Sequence, residues 1–258
     1  MLFRSGVALV NLLSVAAALP SPQAKSKPPA FFLAGDSTTA VQSTGGGGWG
    51  DGFLNTTLRN GGTGKNFGHN GATTVSFRTG GDWDNVLTAA KNALGDYKPY
   101  VTIQFGHNDQ KPEKNISMAQ LTANLVRLVD EVRAVPGIPI LVTSITRRRF
   151  NNATGTVVEN LADVTAATKE AAKQSGADII DLNAGSTNYV NAIGAANAAT
   201  YNLNPTDFTH LNGEGSVVFG NLVAMLIDEE VPGVKKWVQP VKEVAKALKA
   251  GQYVYPAV

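Results

Sequence analysis

Residues 30–39 read AFFLAGDSTT, a run of five apolar residues that stops at Gly35 and continues into a polar turn. Short apolar runs bounded by turn residues are typical of buried β-strands. Similar runs follow along the chain, at residues 64–67, 100–105, 138–146 and 177–182. Amphipathic helical patterns lie at residues 117–134, 157–174, 213–228 and 234–249. Strands that alternate with helices predict an α/β fold of three layers (α/β/α), with a five-stranded parallel sheet covered on both faces.

The bulk composition predicts one globular domain, which we place at residues 30–258. The chain has 258 residues, of which 43% are apolar and 16% are charged, and this is enough material for one substantial core. The formal net charge is only +2, so nothing indicates a nucleic-acid partner. The absence of cysteine excludes disulfides, zinc–thiolate sites and cysteine nucleophiles.

The first residues of the chain are typical of a secretory leader. Arg4 precedes an apolar stretch at residues 6–19, which is shorter than the roughly 20 apolar residues of a membrane-spanning helix. We predict a signal peptide at residues 1–19 and a linker at residues 20–29, and we favour secretion over a membrane anchor. Three Asn-x-Ser/Thr sequons agree with a secretory route and are candidate N-glycosylation sites: Asn55, Asn115 and Asn152.

The glycine-rich segment at residues 45–50 matches the Gly-x-Gly-x-x-Gly pattern of dinucleotide-binding loops. Its context does not fit, because the predicted strand ends ten residues earlier, at Gly35. We interpret the segment as a flexible loop in which Trp49 either packs in the core or offers a stacking face to a sugar. The sequence also lacks His-Glu-x-x-His and Gly-x-Ser-x-Gly motifs, and we expect no metal and no cofactor.

Ser37 follows the first predicted strand, at the edge where parallel sheets place their ligands. A serine hydroxyl at this position suits a nucleophile. An isolated Asp-Ser-Thr segment is also an ordinary helix cap, so the interpretation as a nucleophile requires a base elsewhere in the chain.

The chain contains three histidines, and only His210 has an acidic residue three positions earlier, Asp207. This spacing lets one carboxylate orient the imidazole ring, although such a tetrapeptide can also form a polar surface turn. His69 and His107 lie in loops that should face the same crevice and are rival bases.

A polar cluster, Gly106-His107-Asn108-Asp109, ends the third predicted strand. The side-chain amide of Asn108 can donate a hydrogen bond to a developing oxyanion, and the backbone N–H of Gly71 can donate another. The alternative is that the glycines of both segments only form tight turns.

Taken together, four segments resemble the sequence blocks of the GDSL/SGNH hydrolases, in the same order. These are the Gly-Asp-Ser block, a glycine block, the Gly-x-Asn-Asp block and the Asp-x-x-His block, at Ser37, Gly71, Asn108 and His210. The nucleophile block has threonine where the family name implies leucine, which leaves the nucleophile unaffected. The resemblance implies a flavodoxin-like SGNH hydrolase fold and a serine esterase. Its catalytic residues would be Ser37, Asp207, His210, Gly71 and Asn108.

Residues 106–109 and 146–150 look most like fungal rhamnogalacturonan acetylesterases. This finer resemblance implies an acetylesterase whose partner is an acetylated polysaccharide, rhamnogalacturonan of pectin. We expect the protein to be a monomer. Acetylated xylan, short-chain esters and lipids are alternative substrates, and a non-catalytic carbohydrate-binding protein is the alternative of another class.

Three side chains are candidate substrate contacts: His107, Arg147 and Trp49. His107 is expected to be either structural or in contact with substrate. Residues 147–149 form a run of three arginines, of which we expect at least two to be solvated and one to pair with a uronate carboxylate.

Overall fold

The computed structural model describes residues 1–2 and 26–257. Apart from residues 1–2, the predicted signal peptide at residues 1–19 lies outside the described residues, as does the predicted linker up to residue 25. No helix in the described ranges has the combination of length and hydropathy that a membrane span requires.

The strands are β1 (Pro29–Gly35), β2 (Thr63–Asn66), β3 (Lys98–Gln104), β4 (Ile138–Val142), β5 (Phe150–Asn151), β6 (Thr156–Val157) and β7 (Asp178–Ile180). Five of them form one parallel sheet in the order β2-β1-β3-β4-β7. The short strands β5 and β6 pair antiparallel as a separate hairpin. The predicted five-stranded parallel sheet is therefore confirmed, and the hairpin is an addition to it.

The helices are α1 (Gly50–Thr57), α2 (Thr74–Thr79), α3 (Asp82–Ala93), α4 (Met118–Ala134), α5 (Ala162–Ser175), α6 (Leu182–Ala199), α7 (Gly213–Glu230) and α8 (Lys242–Ala250), with a 3-10 turn at Pro112–Lys114. Helices α2 to α5 cover one face of the sheet, and α1, α6, α7 and α8 cover the other. This is the predicted three-layer architecture.

Side chains alternate between the two faces along β1, as the period of a strand requires. Phe31 and Leu33 belong to one hydrophobic core, whereas Ala30, Phe32 and Ala34 belong to the other. β1 is an interior strand of the sheet that is buried on both sides, and its carboxyl end at Gly35 is held in one place. This end of the sheet carries Ser37.

Helix boundaries differ from the predicted ones where the chain contains a helix breaker or an additional strand. The predicted helix at residues 234–249 begins only at Lys242, because Pro240 disfavours helical backbone in the residue before it. The predicted helix at residues 157–174 begins at Ala162, because Val157 pairs in β6.

Candidate active site

Ser37 lies in a turn directly after β1, and the turn is organised by Asp36. One carboxylate oxygen of Asp36 accepts hydrogen bonds from the backbone N–H of Thr38 at 2.8 Å and from the Thr38 hydroxyl at 2.7 Å. The next helix, α1, begins only at Gly50. Ser37 therefore does not cap a helix, and its hydroxyl is available for another partner.

That partner is His210. Its ring nitrogen Nε2 lies 2.8 Å from the Ser37 Oγ, and its Nδ1 lies 2.8 Å from Oδ2 of Asp207. The other oxygen of Asp207 accepts the backbone N–H groups of Thr209 and His210 at 3.0 and 2.9 Å. The three side chains are thus linked in one continuous series of hydrogen bonds, as the sequence predicts.

The charge on Asp207 determines what this series can do. Burial raises the pKa of Asp207, but the hydrogen bonds from His210 and Thr209 outweigh this effect and hold the pKa below its ordinary value. An ionised Asp207 favours the tautomer with the proton on Nδ1, which leaves Nε2 free to accept the Ser37 proton. The arrangement can activate a serine hydroxyl.

The two rival histidines occupy other positions. His69 is exposed and its Nδ1 lies 2.7 Å from Asp82 on the surface. His107 is only 3% exposed, and both of its ring nitrogens are closed to solvent and lack a hydrogen-bond partner among the described residues. Its Nδ1 lies 3.7 Å from the buried carboxylate of Asp36. The predicted substrate contact of His107 is therefore wrong for this conformation, and its structural alternative fits.

Burial also determines the charge of the His107 and Asp36 pair. Burial lowers the pKa of His107 well below its ordinary value, and the nearby Arg147 acts in the same direction. Burial raises the pKa of Asp36 to about 6 even though the two hydrogen bonds from Thr38 oppose it. His107 is therefore neutral at neutral pH and is not a charged partner for the site.

The glycine segment at residues 45–50 connects the turn of Ser37 to the turn of His210. Gly48 donates to the carbonyl of Ala40 at 2.9 Å, and Leu211 donates to the carbonyl of Gly47 at 2.8 Å. A Cβ atom at Gly48 would overlap the backbone carbonyl of Thr38. Residues 46–50 are buried, so the predicted flexible loop is wrong for this part, because only glycine permits the close packing.

Trp49 lies in the core and not on the surface. Its side chain is fully buried, and its indole N–H donates to the side-chain oxygen of Gln104. The predicted sugar-stacking role is wrong, because no face of the ring is accessible. The other alternative, core packing, holds.

The predicted oxyanion donors lie on neighbouring loops. The Asn108 side-chain amide donates to the carbonyl of Ala72 at 3.0 Å, and its oxygen accepts from the ammonium of Lys111 at 2.7 Å. These contacts orient the amide and leave its second N–H unused. Within the described residues, the backbone N–H groups of Ser37 and Gly71 donate no hydrogen bond. All three donors are available for a ligand oxygen.

A family model described as the GDSL-like lipase/acylhydrolase family matches residues 33–218. The chain belongs to this family. The chain is 32% identical over 218 residues to the rhamnogalacturonan acetylesterase RhgT of Bacillus subtilis (strain 168). The aligned region covers 79% of this chain and 91% of RhgT. Family membership makes the chain a carboxylic ester hydrolase.

Solved structures support the fold of this acylhydrolase. A Bacillus subtilis protein is similar with a TM-score of 0.69 and 21% identity, covering 79% of this chain but only 57% of that one. The acetylxylan esterase Axe2 from Geobacillus stearothermophilus is similar with a TM-score of 0.55 and 18% identity, covering 81% of this chain and 95% of Axe2. At these identities the similarity concerns the fold alone.

The three consecutive arginines of the acylhydrolase have three different environments. Arg147 is half-buried and donates to Thr209 Oγ1 at 3.3 Å and to Asn160 Oδ1 at 2.9 Å. Arg148 is buried. Arg149 is exposed, and its guanidinium carbon lies 5.2 Å from the centre of the Phe208 ring. Arg149 and the half-buried Arg147 both line an open groove, which agrees with the prediction that at least two of the three are solvated, whereas the Asp207–His210 turn covers Arg148. The sequence has no signal for this burial beyond the unusual run of three arginines.

A polar groove of about 600 Å³ opens beside the turn that carries Asp207 and His210. Its lining includes Arg147, Arg149, Asn160, Asn204, Thr206 and Asp207. The described part of the chain contains no cluster of three or more metal-ligating side chains.

Proposed function

We propose that this chain is a secreted serine acetylesterase that removes acetyl groups from a polysaccharide, with acetylated rhamnogalacturonan as its substrate. The observation that carries the chemistry is the 2.8 Å contact between Ser37 Oγ and His210 Nε2, backed by the Asp207 carboxylate. The identity of 32% to RhgT over 91% of its length supports the choice of substrate.

In the acylation step, His210 accepts the Ser37 proton while Ser37 Oγ attacks the acetyl carbonyl carbon. Asp207 orients the imidazole and stabilises the imidazolium that forms. His210 then donates the proton to the sugar oxygen, which leaves as an alcohol, and Ser37 carries the acetyl group.

Deacylation repeats these proton transfers with water as the nucleophile. His210 accepts a proton from water, and the resulting hydroxide attacks the acetyl carbonyl carbon. The bond between this carbon and Ser37 Oγ then breaks, acetic acid leaves, and His210 returns the proton to Ser37. In both steps the backbone N–H groups of Ser37 and Gly71 and the Asn108 amide donate to the oxyanion.

The groove beside Asp207 supports an acidic substrate. Arg147 and Arg149 line it and carry positive charge, and a guanidinium pairs well with a planar carboxylate. Rhamnogalacturonan presents uronate carboxylates near its acetyl groups, whereas xylan lacks such a group on each backbone sugar. The groove therefore favours the uronate polymer over acetylated xylan or short-chain lipid esters.

Secretion is part of the proposal and is supported by Arg4 and the apolar residues 6–19. The three sequon asparagines are all exposed, as glycosylation requires: Asn55, Asn115 and Asn152. Mass spectrometry of the protein recovered from culture medium would give the new N-terminus and the glycan occupancy. An N-terminus at Met1 would contradict cleavage of the leader.

The experiment that tests the function is acetate release by the purified full-length protein. Acetylated rhamnogalacturonan, acetylated xylan and a chromogenic acetate ester are compared, with Ser37→Ala beside the wild type. We expect fastest release from rhamnogalacturonan and none from Ser37→Ala. Faster acetate release from xylan would contradict the assignment of rhamnogalacturonan as the substrate. An active Ser37→Ala protein would contradict the mechanism. Binding without release by the wild type would favour the carbohydrate-binding alternative.

A further inference from the structure

Arg148 is a buried cation that contacts no carboxylate. Its side chain is 2% exposed, and no carboxylate oxygen among the described residues lies within 4.0 Å of its guanidinium. Burial lowers the pKa of Arg148 to about 9, while the charge of Asp207 acts in the opposite direction. The guanidinium is thus charged at neutral pH. A buried charge without a counter-ion in contact is destabilising unless hydrogen bonds compensate for the lost hydration.

Two of the three guanidinium hydrogen bonds hold the segment that carries Asp207 and His210. The guanidinium donates to the carbonyl of His210 at 2.5 Å, to the carbonyl of Thr209 at 3.4 Å and to Asn202 Oδ1 at 2.7 Å. The backbone N–H of Arg148 donates to the carbonyl of Phe208 at 2.8 Å. One residue therefore contacts three successive carbonyls of the turn.

The turn is held from its other side by Asp207. The Asp207 carboxylate accepts the N–H groups of Thr209 and His210, so donors and acceptors of the same short segment both have charged partners. With the backbone of His210 fixed in this way, its ring has little freedom to move away from Ser37. Displacement of a catalytic group by about 1 Å lowers turnover about 100-fold.

We propose that Arg148 is a positioning residue that holds the backbone of His210 so that its imidazole stays within hydrogen-bonding distance of Ser37. This inference rests on the proposed roles of Ser37 and His210, but not on the identity of the polysaccharide. Arg148 itself touches no substrate. Its effect is on the geometry of the dyad.

The test uses Arg148→Ala in the full-length protein with a chromogenic acetate ester. We expect kcat to fall about 100-fold with KM within about twofold, because binding does not depend on the imidazole. Guanidinium ion at a non-denaturing concentration should occupy the vacated site and raise the kcat of Arg148→Ala at least about tenfold. Sodium chloride at the same concentration should not.

Arg133→Ala is the matched control. Its guanidinium also donates to two backbone carbonyls, Ser175 at 2.6 Å and Gly176 at 3.0 Å, but at the C-terminus of α5 on the surface. We expect a lower Tm and an unchanged kcat. This separates a general effect of removing an arginine from an effect on the dyad.

Folded Arg148→Ala protein with kcat within about threefold of wild type would overturn the inference, as would a loss that guanidinium does not restore. If Arg148→Ala does not fold, Arg148→Lys is used, which keeps the charge but lacks the fork. We expect the kcat of Arg148→Lys to be at least about tenfold below that of wild type. A wild-type kcat in Arg148→Lys would overturn the inference, as would failure of both variants to fold. An active Ser37→Ala protein would instead contradict the proposed function.

Discussion

The Nε2 atom of His210 lies 2.8 Å from the Oγ atom of Ser37, although 173 positions separate the two residues in the chain. Both lie in turns at the carboxyl edge of the parallel sheet, where ligands of open α/β folds bind. The contact joins a residue after the interior strand β1 to a residue just before α7. The proposed chemistry depends on this one distance.

Asp207→Asn should lower kcat about 10³- to 10⁴-fold with little change in fold. The amide oxygen of asparagine can still accept the N–H groups that Asp207 Oδ1 accepts, but the charge that selects the His210 tautomer is lost. Kinetics on a chromogenic acetate ester would measure this effect. Asp82→Asn is the control, because Asp82 pairs in the same way with the exposed His69, and a similar loss in it would contradict the assignment of His210.

Asn108→Ala should lower kcat about 10²- to 10³-fold, or about 3 kcal/mol of transition-state stabilisation, with KM nearly unchanged. The amide is expected to donate mainly to the oxyanion, which exists only in the transition state. Asn124→Ala removes an amide that donates to Thr74 Oγ1 at 2.9 Å and should keep wild-type kcat. Equal kcat in the two variants would remove Asn108 from the oxyanion site.

Gly48→Ala should destabilise the protein by about 1–3 kcal/mol and reduce kcat, because the new methyl group overlaps the backbone carbonyl of Thr38. Gly45→Ala is the control in the same segment, since a Cβ atom there meets no other atom within 4 Å. Chemical denaturation would give both free energies of unfolding. If both variants match wild type in stability and kcat, the segment does not hold the Ser37 turn in place.

Asp36→Asn should change how stability depends on pH. The pKa of Asp36 is raised from 3.8 to about 6 in the folded protein, so the folded state binds this proton more tightly than the unfolded chain. Stability is therefore lost as pH rises from about 4 to about 6. Over this window the variant should gain about 3 kcal/mol relative to wild type. Asp96→Asn, at an exposed position, is the control for removing a carboxyl group.

Denaturation curves at several pH values would measure this difference. Contributions of groups far from Asp36 are the same in both proteins and cancel in the comparison. Parallel pH profiles of wild type and Asp36→Asn would show that folding does not raise the pKa of Asp36.

Arg149→Glu should raise KM for acetylated rhamnogalacturonan oligomers about tenfold or more, because a charge-assisted hydrogen bond contributes about 1.5–3 kcal/mol. KM for acetylated xylan oligomers should rise much less. Arg127→Glu reverses an exposed charge on α4, where Arg127 pairs with Glu131, and serves as control. Equal changes in KM on both polymers would remove the groove from uronate recognition.

Local patterns in the sequence determined the layers of the fold. Apolar runs such as residues 30–34 mark the strands, because a strand buried on both faces needs apolar side chains throughout. The predicted helices do not include α1, α2, α3 or α6. Helix α1 contains Gly50 and Gly52, which are poor helix formers. It forms because Gly52 packs directly against the backbone of Ser216 in α7, a contact that no local pattern records.

The sequence also determined which residues form the dyad, since Asp207 and His210 are neighbours within one short turn and their spacing is a local property. Only the tertiary structure decided that His210, and not His69 or His107, meets Ser37. It also decided that Trp49 and Arg148 are buried and that Gly47 and Gly48 join the two turns. Burial depends on which distant segments pack together, and a window of consecutive residues does not contain that information.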